Sequence, residues 1–178
     1  MNGAALSRRK ALVAGPTAAA RLAVLACASM AHRAARTAAV RSWTLQSEEL
    51  GTFAKSALAS RSDLMLAARL GETMKRDEIS YALVMDQAGK ARFHGSAADI
   101  GRTYDSPTAK LALSATATLV QELPAYSLVE VDVPLPGHVL MVGWSFRALS
   151  SFAAWLWGGA ATAVAALAAP GLLAFRGA

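Results

Sequence analysis

Few residues in this sequence have the types and spacing that catalysis or metal binding requires. The histidines are His32, His94 and His138, and none of them belongs to a metal-binding motif such as H-E-x-x-H. His94 and Asp99 stand five positions apart on a predicted loop, which is too weak a pattern to indicate a metal ion. The sequence also has no glycine-rich phosphate loop and no G-x-S-x-G motif. We therefore expect no enzymatic activity, no metal and no cofactor.

The only cysteine, Cys27, lies in an apolar segment near the N-terminus. A single cysteine excludes an internal disulfide, and an apolar segment is a poor setting for a nucleophilic thiol. Cysteine chemistry therefore gives no indication of function.

The formal net charge of +6 is distributed very unevenly along the chain. All twelve acidic residues lie between Glu48 and Asp132, and residues 1–47 contain seven basic residues and no acid. Nine of the eighteen basic residues lie in the same central part as the twelve acids, residues 48–132. The net charge of this part is therefore −3. A negative central part argues against nucleic acid as a partner. The basic ends are better explained as determinants of membrane orientation.

Residues 148–175 contain no charged residue and predict a C-terminal transmembrane helix. A helix of that length exceeds the hydrocarbon core of a bilayer, which is roughly 30 Å thick. Phe152, Trp155 and Trp157 lie at its start, where an aromatic belt is expected, and Arg176 follows its end.

Small residues in this segment indicate a surface on which another membrane helix could pack. Gly158, Gly159 and Ala163 include a small-xxx-small pattern, which lets two helices approach closely in lipid. We name these three residues as candidates for membrane helix packing.

The N-terminal region, residues 1–43, is compatible with three interpretations. The stretch "SRRKALVAGPTAAARLAVLACASMA" has a basic start and a mostly apolar continuation that Arg21 interrupts. It could be an uncleaved signal anchor, a cleaved signal peptide of twin-arginine type, or a lipoprotein signal that ends at Cys27. All three place the start of the chain in the cytoplasm and export residues 44–147.

The central part alternates between helical and strand patterns. Apolar residues at helical spacing predict one long helix, with Ser47 and two following glutamates as an N-terminal signal. Later stretches are rich in strand formers, and Ser106 before Pro107 predicts the start of a short helix. The predicted elements are a helix over 44–75, a hairpin of 79–86 and 91–96 around the turn 87–90, a helix over 107–121, and a hairpin of 125–136 and 138–145.

Alternation in "AYSLVEVDVPLP" predicts which side chains of the third strand are buried. Val129, Val131 and Val133 fall on one face, and Glu130 and Asp132 fall on the other. This pattern is typical of a half-buried antiparallel strand with its charged side chains in solvent.

Three stretches together resemble the extracytoplasmic PAS-like (Cache-type) sensor domains of bacterial signal-transduction receptors. They are "YALVMDQAGKARFHGSAADIGRTYDSP", "AKLALSATATLVQ" and "YSLVEVDVPLPGHVLMVGWS". The resemblance implies an α+β fold, with a small antiparallel sheet and a long N-terminal helix, flanked by transmembrane helices. It also implies that a small molecule, often a carboxylate or an amino acid, binds between the sheet and its loops, where it would contact Tyr81, His94, Arg102 and Tyr104.

We therefore expect a protein of the bacterial inner membrane whose domain 44–147 is periplasmic, between the regions 1–43 and 148–178. Only three residues follow Phe175, so we expect either that a separate signalling protein carries the output or that the chain is a relic or a fragment of a receptor. The partners of this hypothesis are the membrane, a second copy of the chain, the signalling protein and a small-molecule ligand, and not nucleic acid. The alternative hypothesis is a structural or assembly subunit of a membrane complex that uses the same fold as a protein-binding surface.

The topology can be tested with a reporter enzyme that is active only after export. Because of the charge distribution, we expect such a reporter to be active when it is fused after Ser96. Activity of a cytoplasm-specific reporter at the same position would contradict both the topology and the sensor hypothesis.

Overall fold

The structure is a computed structural model that describes the backbone of residues 3–176 and the side chains of residues 18–147 and 149–166. It contains two compact units. One is formed by Met1–Thr37 and Leu149–Ala178, and the other by Ala38–Ala148. The chain has the expected α+β composition, with a long N-terminal helix and an antiparallel sheet of five strands. The helices are α1 (Gly3–Ala59), α2 (Asp63–Thr73), α3 (Pro107–Ser114) and α4 (Arg147–Arg176), and the strands are β1 (Ile79–Asp86), β2 (Ala91–His94), β3 (Leu119–Leu123), β4 (Leu128–Leu135) and β5 (His138–Ser145).

The predicted helix 44–75 is two helices. It does not start at Ser47, because α1 runs through this position, and it is interrupted after Ala59. Arg61 has a φ of 54°, a left-handed conformation that an α-helix does not allow. The N–H of Ser62 then donates to the carbonyl of Ala57 at 2.8 Å, which satisfies a group left open by the end of α1.

The first hairpin follows the prediction closely, with β1 as expected and β2 two residues shorter. Asp86 shapes the turn, because its Oδ1 accepts from the N–H groups of Ala88 and Lys90, both at 3.0 Å. Gly89 has a φ of 78°, which a residue with a side chain rarely adopts.

The short helix α3 begins as predicted but ends seven residues early. Ser106 caps it by accepting the N–H of Ala109 at 3.2 Å, and Pro107 occupies the first turn. The helix ends at Ser114, and residues 119–123 form the edge strand β3, whose first three residues the sequence analysis had assigned to the helix. The strand order is β2-β1-β5-β4-β3, so β1, β5 and β4 each have a neighbour on both sides.

One face of the sheet packs against α1 and α2. Trp144 of β5 donates from its Nε1 to the hydroxyl of Ser47 at 3.0 Å and stacks on Trp43 with ring centroids 5.7 Å apart. A Cβ at Gly51 would overlap Val133, so α1 lies very close to β4 here. This face holds most of the core that orders the sheet.

The other face is covered by α3. Its apolar part consists of Leu83, Met85, Val139 and Met141 from the sheet, with Ala109 and Ala112 from the helix. The central strands are therefore buried on both faces. The third strand predicted from the sequence is β4, and the prediction that it is half-buried was wrong. Glu130 and Asp132 are 2% and 0% exposed, as deeply buried as Val131.

The helix α4 contains a stretch, Leu149–Ala166, that is long and apolar enough to cross a membrane, and it is the only such stretch among the residues that were described. Gly158 and Gly159 are exposed on it, and an added Cβ would meet no atom within 4 Å. Their role in helix packing with another chain stays a prediction, as does that of the partly buried Ala163. The basic start of the N-terminal region lies outside the described side chains.

The burial of β4 can be tested with one acidic residue on each of two neighbouring strands. Val131→Asp should lower the free energy of unfolding by about 3 kcal/mol or more, because it buries a charge without a partner. Val120 pairs with Val131 in register but is 39% exposed on the edge strand, so Val120→Asp should destabilise the protein much less. Urea denaturation followed by tryptophan fluorescence would measure both, and equal losses would contradict the burial pattern.

Candidate functional site

A cleft of about 770 Å³ opens on the α3 side of the sheet. Its floor comes from β1, β4 and β5, and its walls come from the segment 94–109 and from the short helical turn Pro124–Tyr126. The side chain of Tyr126 at this edge is 75% exposed, so the cleft is accessible to solvent. The cleft lies entirely within the unit Ala38–Ala148.

The four side chains named from the sequence all line this cleft: Tyr81, His94, Arg102 and Tyr104. Arg102 already has partners within the chain. Its Nη1 lies 3.4 Å from Oδ1 of Asp99, and its guanidinium carbon lies 5.7 Å from the centroid of the Tyr104 ring. The side chain is nevertheless 67% exposed, so it could turn towards a ligand at little energetic loss. Ligand binding by these residues stays a prediction.

His94 is a buried wall residue with a fixed orientation. Its Nδ1 accepts the N–H of Ser96 at 2.9 Å, so the neutral ring carries its hydrogen on Nε2. Burial lowers the pKa of His94, and the nearby Asp99 only partly offsets this effect. His94 is therefore neutral at pH 7 and can act as a hydrogen-bond donor through its Nε2–H. Within the part of the chain that was described, no group of three or more potential metal-binding side chains is present.

A polar cluster, which we define as Tyr81, Gln121, Glu130 and Asp132, lies on this face of the sheet, and two of its members, Tyr81 and Glu130, line the floor of the cleft. Tyr81, Gly143, Glu130 and Gln121 are register partners across four neighbouring strands and form one row. The hydroxyl of Tyr81 donates to Oε2 of Glu130. The Nε2 of Gln121 lies 2.7 Å from Oδ2 of Asp132 and 3.3 Å from Oε1 of Glu130. The row thus links the cleft to the edge strand.

Gly143 makes this arrangement possible. A Cβ at this position would overlap the ring of Tyr81, which lies directly over the backbone of β5. The glycine therefore lets the tyrosine reach across β5 to Glu130 on the next strand. The sequence analysis named Tyr81 but missed the glycine beneath it and the acid that it contacts.

The two carboxyl groups of the cluster are harder to ionise than usual. Burial raises the pKa of Glu130, although the hydrogen bond from Tyr81 opposes this change. Burial, together with the charge of Glu130, raises the pKa of Asp132 to about 7. The Oδ1 atom of Asp132 has no hydrogen-bond partner among the described residues. No basic side chain in that part of the chain pairs with either carboxyl group, so one of them can retain a proton near neutral pH.

The sequence offered one signal for these missed residues. Two acids that alternate with valines in a strand indicate a solvent-exposed face only if no other element covers that face. Here α3 covers it.

Neither a scan against models of protein families nor a search of curated proteins finds a match to this chain.

The raised pKa of Asp132 predicts a definite pH dependence of stability. Between its unfolded value of 3.8 and its folded value of about 7, the folded state binds more protons than the unfolded state. Stability should therefore fall as the pH rises through this window, by about 1.4 kcal/mol per pH unit for one proton, and level off above it.

Asp132→Asn should remove this dependence, so that the variant is more stable than the parent above neutral pH and similar to it in acid. Asp77→Asn is the matched control because Asp77 is exposed, and it should follow the parent. Urea denaturation across this pH range would measure all three proteins. An Asn variant with the parent's pH profile would show that Asp132 is not the responsible group.

Proposed function

We propose that the unit Ala38–Ala148 is an extracytoplasmic, PAS-like sensing domain that binds a small molecule in the cleft. In this proposal the chain is anchored in the membrane and acts through a partner signalling protein. The observation that carries the proposal is that the four side chains named from the resemblance line one cleft. Its volume of about 770 Å³ is within the range of small-molecule sites, roughly 300–1,000 Å³.

The chemistry of the cleft favours a small polar ligand with both accepting and donating groups. Arg102 and the Nε2–H of His94 supply donors for a carboxylate or carbonyl group. Glu130 supplies an acceptor on the floor, while Tyr81 and Tyr104 supply aromatic surface. Amino acids and small carboxylates are the compounds that combine these features.

The order of the elements supports a connection between the cleft and the proposed membrane anchor. Met141 of β5 lines the cleft, and β5 ends at Ser145, two residues before α4 begins at Arg147. The apolar stretch of α4 is the anchor in this proposal. A ligand that shifts β5 would change the start of α4, through which the partner protein would receive the signal.

A thermal-shift screen of the chain in detergent micelles tests the proposal. Small carboxylates, amino acids and amines would be added one at a time, and a true ligand should raise the melting temperature in proportion to its binding free energy. A free ligand concentration of 100 times the dissociation constant corresponds to about 2.7 kcal/mol of stabilisation.

Arg102→Gln should reduce the shift given by any carboxylate that the screen identifies. Arg92→Gln is the matched control, because Arg92 is an exposed arginine of β2 that does not line the cleft. A flat screen together with a co-purifying membrane protein would contradict the sensing function and favour an assembly subunit. A shift that neither substitution changes would show that the ligand does not use Arg102.

A further inference from the structure

The polar cluster contains more acceptor oxygens than hydrogens. Tyr81 supplies one hydrogen and the Nε2 of Gln121 supplies two. Ionised Glu130 and Asp132 together present four oxygens. A fifth acceptor is the backbone carbonyl of Thr108, which lies 3.1 Å from the same Nε2 of Gln121. Three hydrogens therefore cannot satisfy five oxygens, and Oδ1 of Asp132 is the one without a partner among the described residues.

This shortage reaches α3 through a single side chain. Thr108 lies in the first turn of α3, and it lines the cleft together with Tyr81 and Glu130. The two hydrogens on Nε2 of Gln121 are shared among Thr108, Glu130 and Asp132. Because a charged acceptor attracts a hydrogen more strongly than a neutral carbonyl, the carboxylates compete with Thr108.

We propose that the polar cluster is a proton switch, in which the gain or loss of one proton by the carboxyl pair sets how firmly the first turn of α3 is held against the sheet. With the proton bound, the pair carries one charge less and gains a hydrogen of its own, so Gln121 keeps its bond to Thr108. Without the proton, two carboxylates draw both amide hydrogens, and the first turn of α3 loosens. The shape of the cleft wall thereby depends on pH.

The side chains that face the carboxyl pair are not the groups that gain or lose the proton of the switch. From β1 the facing titratable group is Tyr81, whose pKa is raised by burial, so it stays protonated. The register partners on β5 are Met141 and Gly143, which do not titrate. On β3 the partner is the neutral Gln121, and the charged residue of α3, Lys110, is exposed. The remaining titratable side chains of the cleft make no hydrogen bond or ion pair with the pair within the described part of the chain; they are His94, Asp99, Arg102, Tyr104 and Tyr126.

The pH range of the switch is a physiological one. The pKa of Asp132 is raised to about 7, so its protonation would change with the pH of an extracytoplasmic compartment. The biological role of the switch rests on the proposed function. Its existence does not, because the movement of α3 can be measured without any ligand.

Amide hydrogen exchange of the whole chain in detergent micelles tests the switch. Exchange would be measured at about pH 6 and about pH 8 and corrected for the intrinsic effect of pH on amide exchange. Loss of the hydrogen bond from Gln121 to Thr108 should increase the corrected exchange of the α3 peptides by about fivefold between these two values, as expected for one net hydrogen bond.

Two variants decide between the switch and a general effect of pH. Asp132→Asn has no proton to lose, so its α3 exchange should not depend on pH, whereas Asp77→Asn should behave like the parent. Gln121→Met removes the connecting amide but leaves the carboxyl pair. It should therefore keep a pH-dependent stability and lose the pH dependence of α3 exchange, while the exposed control Gln87→Met keeps both.

The proposal is overturned if the corrected α3 exchange of the parent is the same at both pH values. It is also overturned if Asp132→Asn or Gln121→Met retains the parent's change. Neither result bears on whether a ligand binds in the cleft, so the proposed function would stand or fall separately in the thermal-shift screen.

Discussion

Two carboxyl groups without a compensating cation are buried on a central strand, and much of the cleft is organised around them. Glu130 and Asp132 point to the face that α3 covers, where they are almost completely buried, and no basic side chain of the described residues pairs with them. Buried charges of this kind must be neutralised, hydrogen-bonded or both. The hydroxyl of Tyr81 and the amide of Gln121 meet that need in part, which explains why a tyrosine lies over a glycine and why a glutamine faces inward on an edge strand.

The opposite face of the sheet supplies the rigidity that lets such a cluster persist. Trp144 is fixed on that side by its hydrogen bond to Ser47 and by its stacking on Trp43. The contact of Gly51 with Val133 brings α1 so close that β4 has no room to shift towards it. Changes in the charge of the cluster are therefore expected to act on the softer side, where the eight-residue helix α3 and the loop before it form the cleft wall.

The parts of the fold that were predicted correctly depend on local signals. Asp86 and Gly89 define a turn by their own chemistry, and Ser106 with Pro107 defines a helix start, so neither depends on distant residues. The end of α3 was missed because "LALSATATLVQEL" is apolar enough for either a helix or a strand. The edge position beside β4, which no local pattern reveals, makes it a strand.

The site was predicted in the same uneven way. The resemblance named three wall residues and Tyr81 of the floor, since all four lie on a recognisable stretch of the chain. The two buried acids were missed because an alternating strand with acids on one face normally places them in water. Only the second covering layer, α3, turns Glu130 and Asp132 into buried groups, and the sequence does not show where that layer packs.

The measurement that tests this account most directly is the infrared carbonyl stretch of protonated carboxyl groups, followed as the pH of the purified chain is raised through neutrality. The account predicts a band from a buried, protonated carboxyl that disappears around pH 7, in agreement with the raised pKa of Asp132, and that is absent from Asp132→Asn. If the parent shows no such band in the neutral range, or if the band persists unchanged in Asp132→Asn, the carboxyl pair does not hold its proton as described.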